Sequence, residues 1–216
     1  MAENLWVAGF DHPGAGWHQL DVRAEDGPER VAQEIADRGG DLNHLYAEAV
    51  LPELKLIRQG AVERGAAPVV VFVPDVPAES RPLVPITAFV APWGGPPPDG
   101  GPASVAALAR VPRDYRLREP LIGEIDLPAG PALRVHELVR EEPTEDGRRL
   151  LMEYVSYYVF PPGLTDGPVE MTVSWSSPAI GAEMAGTADE IAASLTVSPA
   201  AETLPAEALF GKAGAE

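Results

Sequence analysis

Four histidines are the side chains in this sequence best suited to bind a metal or to transfer protons at neutral pH. His12 and His18 lie near Asp11, but a zinc site needs three or four convergent ligands, and only two or three are adjacent here. The pattern is more typical of one histidine in a turn and one on an edge strand. His44 lies one position off the apolar stripe of a predicted helix. His136 points away from the apolar residues of a predicted strand, which favours a surface position.

Nucleophiles and phosphate-binding loops are no better supported. The segment Ser174–Ser177 contains three serines, but it forms no Gly-x-Ser-x-Gly elbow and has no histidine nearby in sequence. Phe210–Ala213 contains a Gly-Lys pair without the glycine loop of a phosphate site. Acidic clusters such as Glu141–Glu142 lack the spacing of a calcium loop. Cysteine is absent, which excludes thiolate chemistry. We therefore predict no catalytic residue, no metal and no cofactor.

The sequence is strongly acidic, with 33 Asp and Glu against 16 Lys and Arg in 216 residues and a net charge of −17. Such a surface repels nucleic acid and anionic lipid, so we expect neither as a partner. A basic protein partner is compatible with it, as is simple solubility. The sequence has no apolar run of eighteen residues, and Met1–Asn4 does not resemble a secretory signal, so we expect a cytoplasmic protein. The near absence of lysine, with abundant Ala, Gly and Pro, is typical of actinobacteria.

Apolar periodicity in the first half predicts two strands, then two helical segments, then two further strands. A proline inside a helical pattern predicts either a kink near Val50 or a second helix that starts at Pro52. The predicted elements are strands Leu5–Phe10 and Trp17–Val22, a helix from Pro28 to the Gly39–Gly40 stop, a helix from Asp41 interrupted at Pro52 and ending near Arg64, and strands Pro68–Pro74 and Leu83–Val90.

The second half predicts a β-meander followed by one amphipathic helix. In Val169–Trp175, apolar residues alternate with polar ones, which indicates a strand with one apolar face. Leu150–Phe160 is apolar on one face and carries Tyr154 and Tyr158 on the other, which favours a position at the sheet centre. The predicted elements are a loop at Trp93–Pro102, a short helix Val105–Ala109 capped by Ser104, strands Leu121–Leu127, Leu133–Val139, Leu150–Phe160 and Val169–Trp175, and a helix Ile180–Leu195.

These elements predict an α+β fold. We expect a mainly antiparallel sheet, with the meander in its C-terminal half, covered by the N-terminal helices and the C-terminal amphipathic helix. We favour a single domain over residues 1–197 with a Pro/Gly-rich loop at 93–102, followed by a tail at 198–216. The alternative is two half-domains separated at that loop.

The order of paired strands, helices, meander and closing helix resembles the Mog1p/PsbP-like α/β sandwich. The resemblance rests on the four meander strands and on Ile180–Leu195. Actinobacterial members of that group include LpqN-type lipoproteins and cytoplasmic relatives of unknown function, and this chain lacks the export signal and lipid-accepting cysteine of the lipoproteins. The members with assigned roles mostly bind proteins or assist assembly. The resemblance therefore implies interaction rather than catalysis, and it supplies no functional residue.

Our leading hypothesis is a cytoplasmic, non-enzymatic interaction or assembly protein with a basic protein partner. Trp93, Leu209 and Phe210 are the candidate contact residues. One alternative is a small hydrolase or ligand-binding enzyme, and another is an acidic immunity-type inhibitor of a basic toxin. The enzyme hypothesis places a pocket near four residues, Trp17, His18, Trp93 and Trp175.

Overall fold

Nine strands and four α-helices make up the part of the chain that the computed structural model describes, which is residues 6–75, 82–95, 98–99, 101–141, 150–165 and 167–200. In chain order they are β1 Trp6–Gly9, β2 Trp17–Gln19, α1 Gly27–Ala36, α2 Asp41–Arg64, β3 Val69–Phe72, β4 Ile86–Pro92, α3 Pro102–Ala109, β5 Leu121–Leu127, β6 Gly130–Arg140, β7 Leu151–Val159, β8 Val169–Trp175, α4 Gly181–Ala193 and β9 Thr196–Pro199.

Seven of the strands form one antiparallel sheet in the order β2-β3-β4-β8-β7-β6-β5. Strands β5 to β8 are a meander, and β8 joins it to β4 from the first half of the chain. Both halves therefore contribute to one sheet, and the predicted α+β class is confirmed. The limits of the domain and tail stay a prediction. None of the described helices has the length and apolar character needed to span a bilayer.

One face of the sheet is mainly apolar, and we call it the apolar face. On β8 the residues Val169, Met171, Val173 and Trp175 are fully buried, as their alternation predicts. Helix α4 covers this face with Met184, Ala188, Ile191 and Leu195 after its end. Ile180, predicted in the same stripe, is instead 38% exposed in a 3₁₀ turn, Pro178–Ile180, that precedes the helix.

The opposite face carries the other three helices. Helices α1 and α2 bury Val31, Ile35, Val50 and Leu54 against strands β2 to β4. Helix α3 packs Val105 and Ala106 on Leu133 and Val135 of β6. Strands β7 and β8 lie between these two helical layers.

Several local predictions were wrong. Helix α2 is continuous through Pro52, so the alternative in which a second helix starts there is wrong, and the alternative of a kink near Val50 stays a prediction. Helix α3 starts at Pro102 with Gly101 at its N-cap, in place of Ser104. Strand β9 was not predicted, because its four residues find their partner only in β1, which pairs Trp6 with Pro199 and Gly9 with Thr196.

Candidate binding groove

A polar groove lies on the sheet between α2 and the segment that follows α3. Apart from Met152 at the start of β7, every side chain that β7 and β8 place on this face can form hydrogen bonds, in contrast to the mainly apolar face behind it. We call these six residues the groove floor: Tyr154, Ser156 and Tyr158 on β7, and Glu170, Thr172 and Ser174 on β8. Three of them are almost fully buried, with Ser156 5%, Thr172 3% and Ser174 6% exposed.

In the hydrogen bonds that connect Ser156, Thr172 and Glu170, the donor and the acceptor can be assigned. The hydroxyl of Thr172 donates to Oε1 of Glu170 at 3.1 Å. Because that bond uses the only hydroxyl proton of Thr172, Ser156 must be the donor in its 2.8 Å bond to Thr172. Ser174 pairs with Thr87 of β4 at 2.7 Å. The floor is thus ordered by its own hydroxyl groups.

The groove contains two hollows, of about 220 Å³ and about 360 Å³, that share Arg64, Phe89 and Tyr154 in their walls. The smaller lies along α2 at Leu56 and Gly60. The larger is lined by Glu137, Glu170, Tyr158 and the exposed residues Tyr115 and Arg140. The larger volume lies at the lower end of the range typical of small-ligand pockets.

Glu170 is the mostly buried carboxyl at one end of the floor, opposite Tyr158 on β7. Burial raises the pKa of Glu170, because the anion loses water. The Thr172 hydroxyl and the distant charge of Arg64 act in the opposite direction, and Glu137 adds to the increase. The neighbouring groups in the groove therefore offset only part of the free-energy cost of burying the Glu170 carboxylate.

The two floor tyrosines remain phenols at neutral pH. Burial raises the pKa of Tyr154, and a 2.5 Å hydrogen bond from its hydroxyl to Oε1 of Glu141 raises it further. Burial also raises the pKa of Tyr158, with additional contributions from the charges of Glu170 and Glu137. Both hydroxyl groups keep their protons and remain hydrogen-bond donors.

The far wall of the groove is held by Arg116. Its Nη1 donates 2.7 Å bonds to the carbonyl oxygens of Ala109 and Val111, and its Nη2 lies 2.5 Å from Oε1 of Glu137. That ion pair is out of line for a hydrogen bond, and Glu137 Oε1 and Arg116 Nε are buried without a hydrogen-bond partner among the described residues. On the near wall, the guanidinium of Arg64 lies 5.6 Å from the ring centroid of Phe89.

The four residues of the predicted enzyme pocket are not brought together. Trp175 is fully buried on the apolar face, and Trp17 lies on that face at the sheet edge, where it packs on Phe72. His18 points to the opposite face, where Nδ1 lies 2.6 Å from Glu34 and Nε2 lies 2.6 Å from Arg38. Because a guanidinium only donates, Nε2 accepts from Arg38 and is not free to act as a base.

Trp93 is the predicted contact residue that the structure places near the groove. It follows β4 and packs edge-to-face on Tyr158, with 5.7 Å between ring centroids. Leu209 and Phe210 lie outside the described residues. Sequence reasoning missed the groove floor, although alternate polar positions on two neighbouring strands were its signal.

The surface position predicted for His136 is wrong, because the ring is 8% exposed. It packs 5.9 Å from the ring of Trp175, and Nε2 lies 3.6 Å from Oε1 of Glu153. Burial lowers the pKa of His136 despite the opposing charge of Glu153, and Arg118 lowers it further. His12 is exposed and stacks on Trp17, and His44 is exposed on α2. The described residues contain no group of three or more metal-ligand side chains.

No protein family and no curated protein matches this chain. A solved structure, the crystal structure of LpqN involved in cell envelope biogenesis of Mycobacterium tuberculosis, is similar with a TM-score of 0.42 and 11% identity. The match covers 90% of this chain and 84% of LpqN. This is a distant likeness in fold, and membership of the Mog1p/PsbP-like group stays a prediction.

Proposed function

We propose that this chain is a non-enzymatic accessory protein that binds another, basic protein in the cytoplasm, and that the groove is its binding site. The observation that carries the proposal is the polar floor at the middle of the sheet. Burying hydroxyl and carboxyl groups there costs stability that apolar residues would not cost. A site that keeps six such groups under an open hollow is suited to binding a polar group of a partner protein.

The bonding of the floor favours binding over catalysis. The floor serines pair with hydroxyl groups, Ser156 with Thr172 and Ser174 with Thr87, and nucleophilic activation of a serine needs a general base within hydrogen-bond reach. Thr172 does donate to Glu170, but it is only 3% exposed and is therefore out of reach of a substrate. The partner's expected charge follows from the net charge of −17 on this chain. Oppositely charged surfaces associate faster, and salt weakens that advantage.

A groove-filling variant provides the test. Gly60 lines the smaller hollow, and a Cβ at this position meets no atom within 4 Å. Gly60→Phe should therefore fill the hollow while leaving the core intact. Gly186 lies in α4 on the other side of the sheet and is equally unobstructed, so Gly186→Phe is the matched control.

The experiment immobilises the wild type and both variants and captures partners from the native host. We expect a stoichiometric basic partner on the wild type and on Gly186→Phe, weaker capture on Gly60→Phe, and release as salt rises. A monomeric wild type that captures nothing would contradict the proposal. So would capture that Gly60→Phe does not reduce, or capture that is indifferent to salt.

A further inference from the structure

We propose that the larger hollow of the groove receives a guanidinium or ammonium group, with the Glu170 carboxylate as its counter-ion. The inference rests on the proposed function, because it assigns the chemistry of the partner group that enters the same groove. It makes the contact a specific one, beyond the general attraction of an acidic surface for a basic protein.

The first argument is the charge balance at the base of the hollow. Among the described residues, Glu170 and Glu137 are the carboxylates there, and Arg116 is a buried cation whose Nη2 lies 2.5 Å from Oε1 of Glu137. Glu170 receives a hydrogen bond from Thr172, a neutral hydroxyl. The described residues in the buried part of the hollow therefore carry one carboxyl more than they carry cations, and burying a carboxylate is favourable only when it is paired.

The opposing charges lie at the rim. Arg64 and Arg140 are exposed, so solvent and salt screen their charges more than those of buried groups. Tyr154 also directs its hydroxyl to Glu141, which lies at the same rim. The rim alone would also suit an anion, which makes an anionic ligand the alternative to be tested.

The second argument is the aromatic lining. Tyr154 and Tyr158 stand on the floor, and Phe89 and Tyr115 stand at the sides. Aromatic faces attract guanidinium and ammonium groups within about 6 Å of the ring centroid. The groove already contains such a contact, since the Arg64 guanidinium lies 5.6 Å from the Phe89 centroid. A second cation beside Tyr158 would have both an aromatic ring and the carboxylate of Glu170.

The test titrates the folded protein, followed by NMR, with three small probes: N-acetyl-arginine amide, N-acetyl-citrulline amide and N-acetyl-glutamate amide. Citrulline has nearly the shape of arginine without its charge. We expect the arginine probe to bind at least about tenfold more tightly than citrulline, the ratio expected for one charge-assisted bond. Equal affinity for arginine and citrulline, or preference for the glutamate probe, would overturn the inference.

Variants locate the bound charge. Glu170→Gln should weaken the arginine probe about tenfold and leave citrulline unchanged. Glu190→Gln removes the same charge from an exposed position on α4, on the opposite side of the sheet, and should change neither. Glu170→Asp keeps the charge but moves the carboxylate away from the hollow by the length of one methylene group, so this variant should bind the arginine probe with intermediate affinity. If Glu170→Gln binds arginine as the wild type does, Glu170 is not the counter-ion.

The experiments can contradict either proposal without contradicting the other. Groove-dependent capture of a partner without arginine binding would leave the proposed function standing and overturn this inference. Arginine binding that needs Glu170, without any captured partner, would support the site chemistry and count against the proposed function.

Discussion

Trp175 and Glu153 are directly opposite each other on β8 and β7, and the indole Nε1 donates a 2.8 Å hydrogen bond to Glu153 Oε2. The other carboxylate oxygen, Oε1, lies 3.1 Å from Nη2 of Arg118. The indole is fully buried and Glu153 is 4% exposed. One carboxylate thus satisfies a buried donor and holds an arginine at the edge of the core.

Replacing Glu153 by alanine should destabilise the protein by about 2 kcal/mol, because it leaves the buried indole N–H without an acceptor. Urea unfolding measures the change in free energy. Glu190→Ala, an exposed carboxylate on α4, is the control and should stay within about 0.5 kcal/mol of the wild type. A Glu153→Ala protein as stable as this control would show that the hydrogen bond contributes nothing net.

Two glycines of α4 should respond in opposite directions to alanine. A Cβ on Gly181 would overlap the buried carboxylate of Glu153, so Gly181→Ala should cost about 1–3 kcal/mol. A Cβ on Gly186 meets nothing within 4 Å, so Gly186→Ala should stabilise the helix by about 0.5–1 kcal/mol. Thermal unfolding of both variants checks the pair. Equal melting shifts would mean that α4 does not press on Glu153 in solution.

Stability should fall as the pH drops through the ordinary histidine pKa of about 6.5. Burial lowers the pKa of His136 in the folded state, so the unfolded chain takes up the proton first and is favoured. The loss is complete below the folded pKa of His136. Urea unfolding from pH 8 to pH 5 should give a shallower dependence in His136→Gln. His44→Gln, exposed on α2, should keep the wild-type slope, and three identical slopes would refute the assignment.

Glu170 should make stability depend on pH in the direction opposite to that of His136. Burial raises its pKa in the folded state, so the native protein holds a proton that the unfolded chain has released, and stability falls as the pH rises through that range. Glu170→Gln should therefore be more stable than the wild type at neutral pH, and the gain should shrink towards pH 4. Melting curves across this range measure it, with Glu190→Gln as the control. A gain that is constant with pH would contradict a titrating Glu170.

The short-range pattern of apolar and polar residues was sufficient to predict most of the fold. The alternation in Val169–Trp175 predicted one apolar face, and all four apolar residues are buried there. The same alternation did not reveal that Glu170, Thr172 and Ser174 form the floor of a groove. Whether these residues line a groove or lie under a helix depends on where α2 and α3 lie above the sheet, and that placement is set by packing between residues far apart in the chain.

His136, on the opposite face of the sheet, shows the same limit of what a sequence pattern predicts. Its alternation on β6 correctly placed it on the face opposite Leu133 and Val135. Its burial depends on Trp175, 39 positions further on, whose indole covers the ring. A pattern of period two identifies the side of a strand but not what is packed against that side.

The pairing of β1 with β9 also affects how the protein is made. Gly9 and Thr196 are 187 residues apart, yet the Thr196 hydroxyl donates to the Gly9 carbonyl. At ordinary rates of translation, β1 waits on the order of tens of seconds before its partner leaves the ribosome. During that interval Trp6 and Ala8, which later pack against the apolar face, remain available to chaperones on the nascent chain.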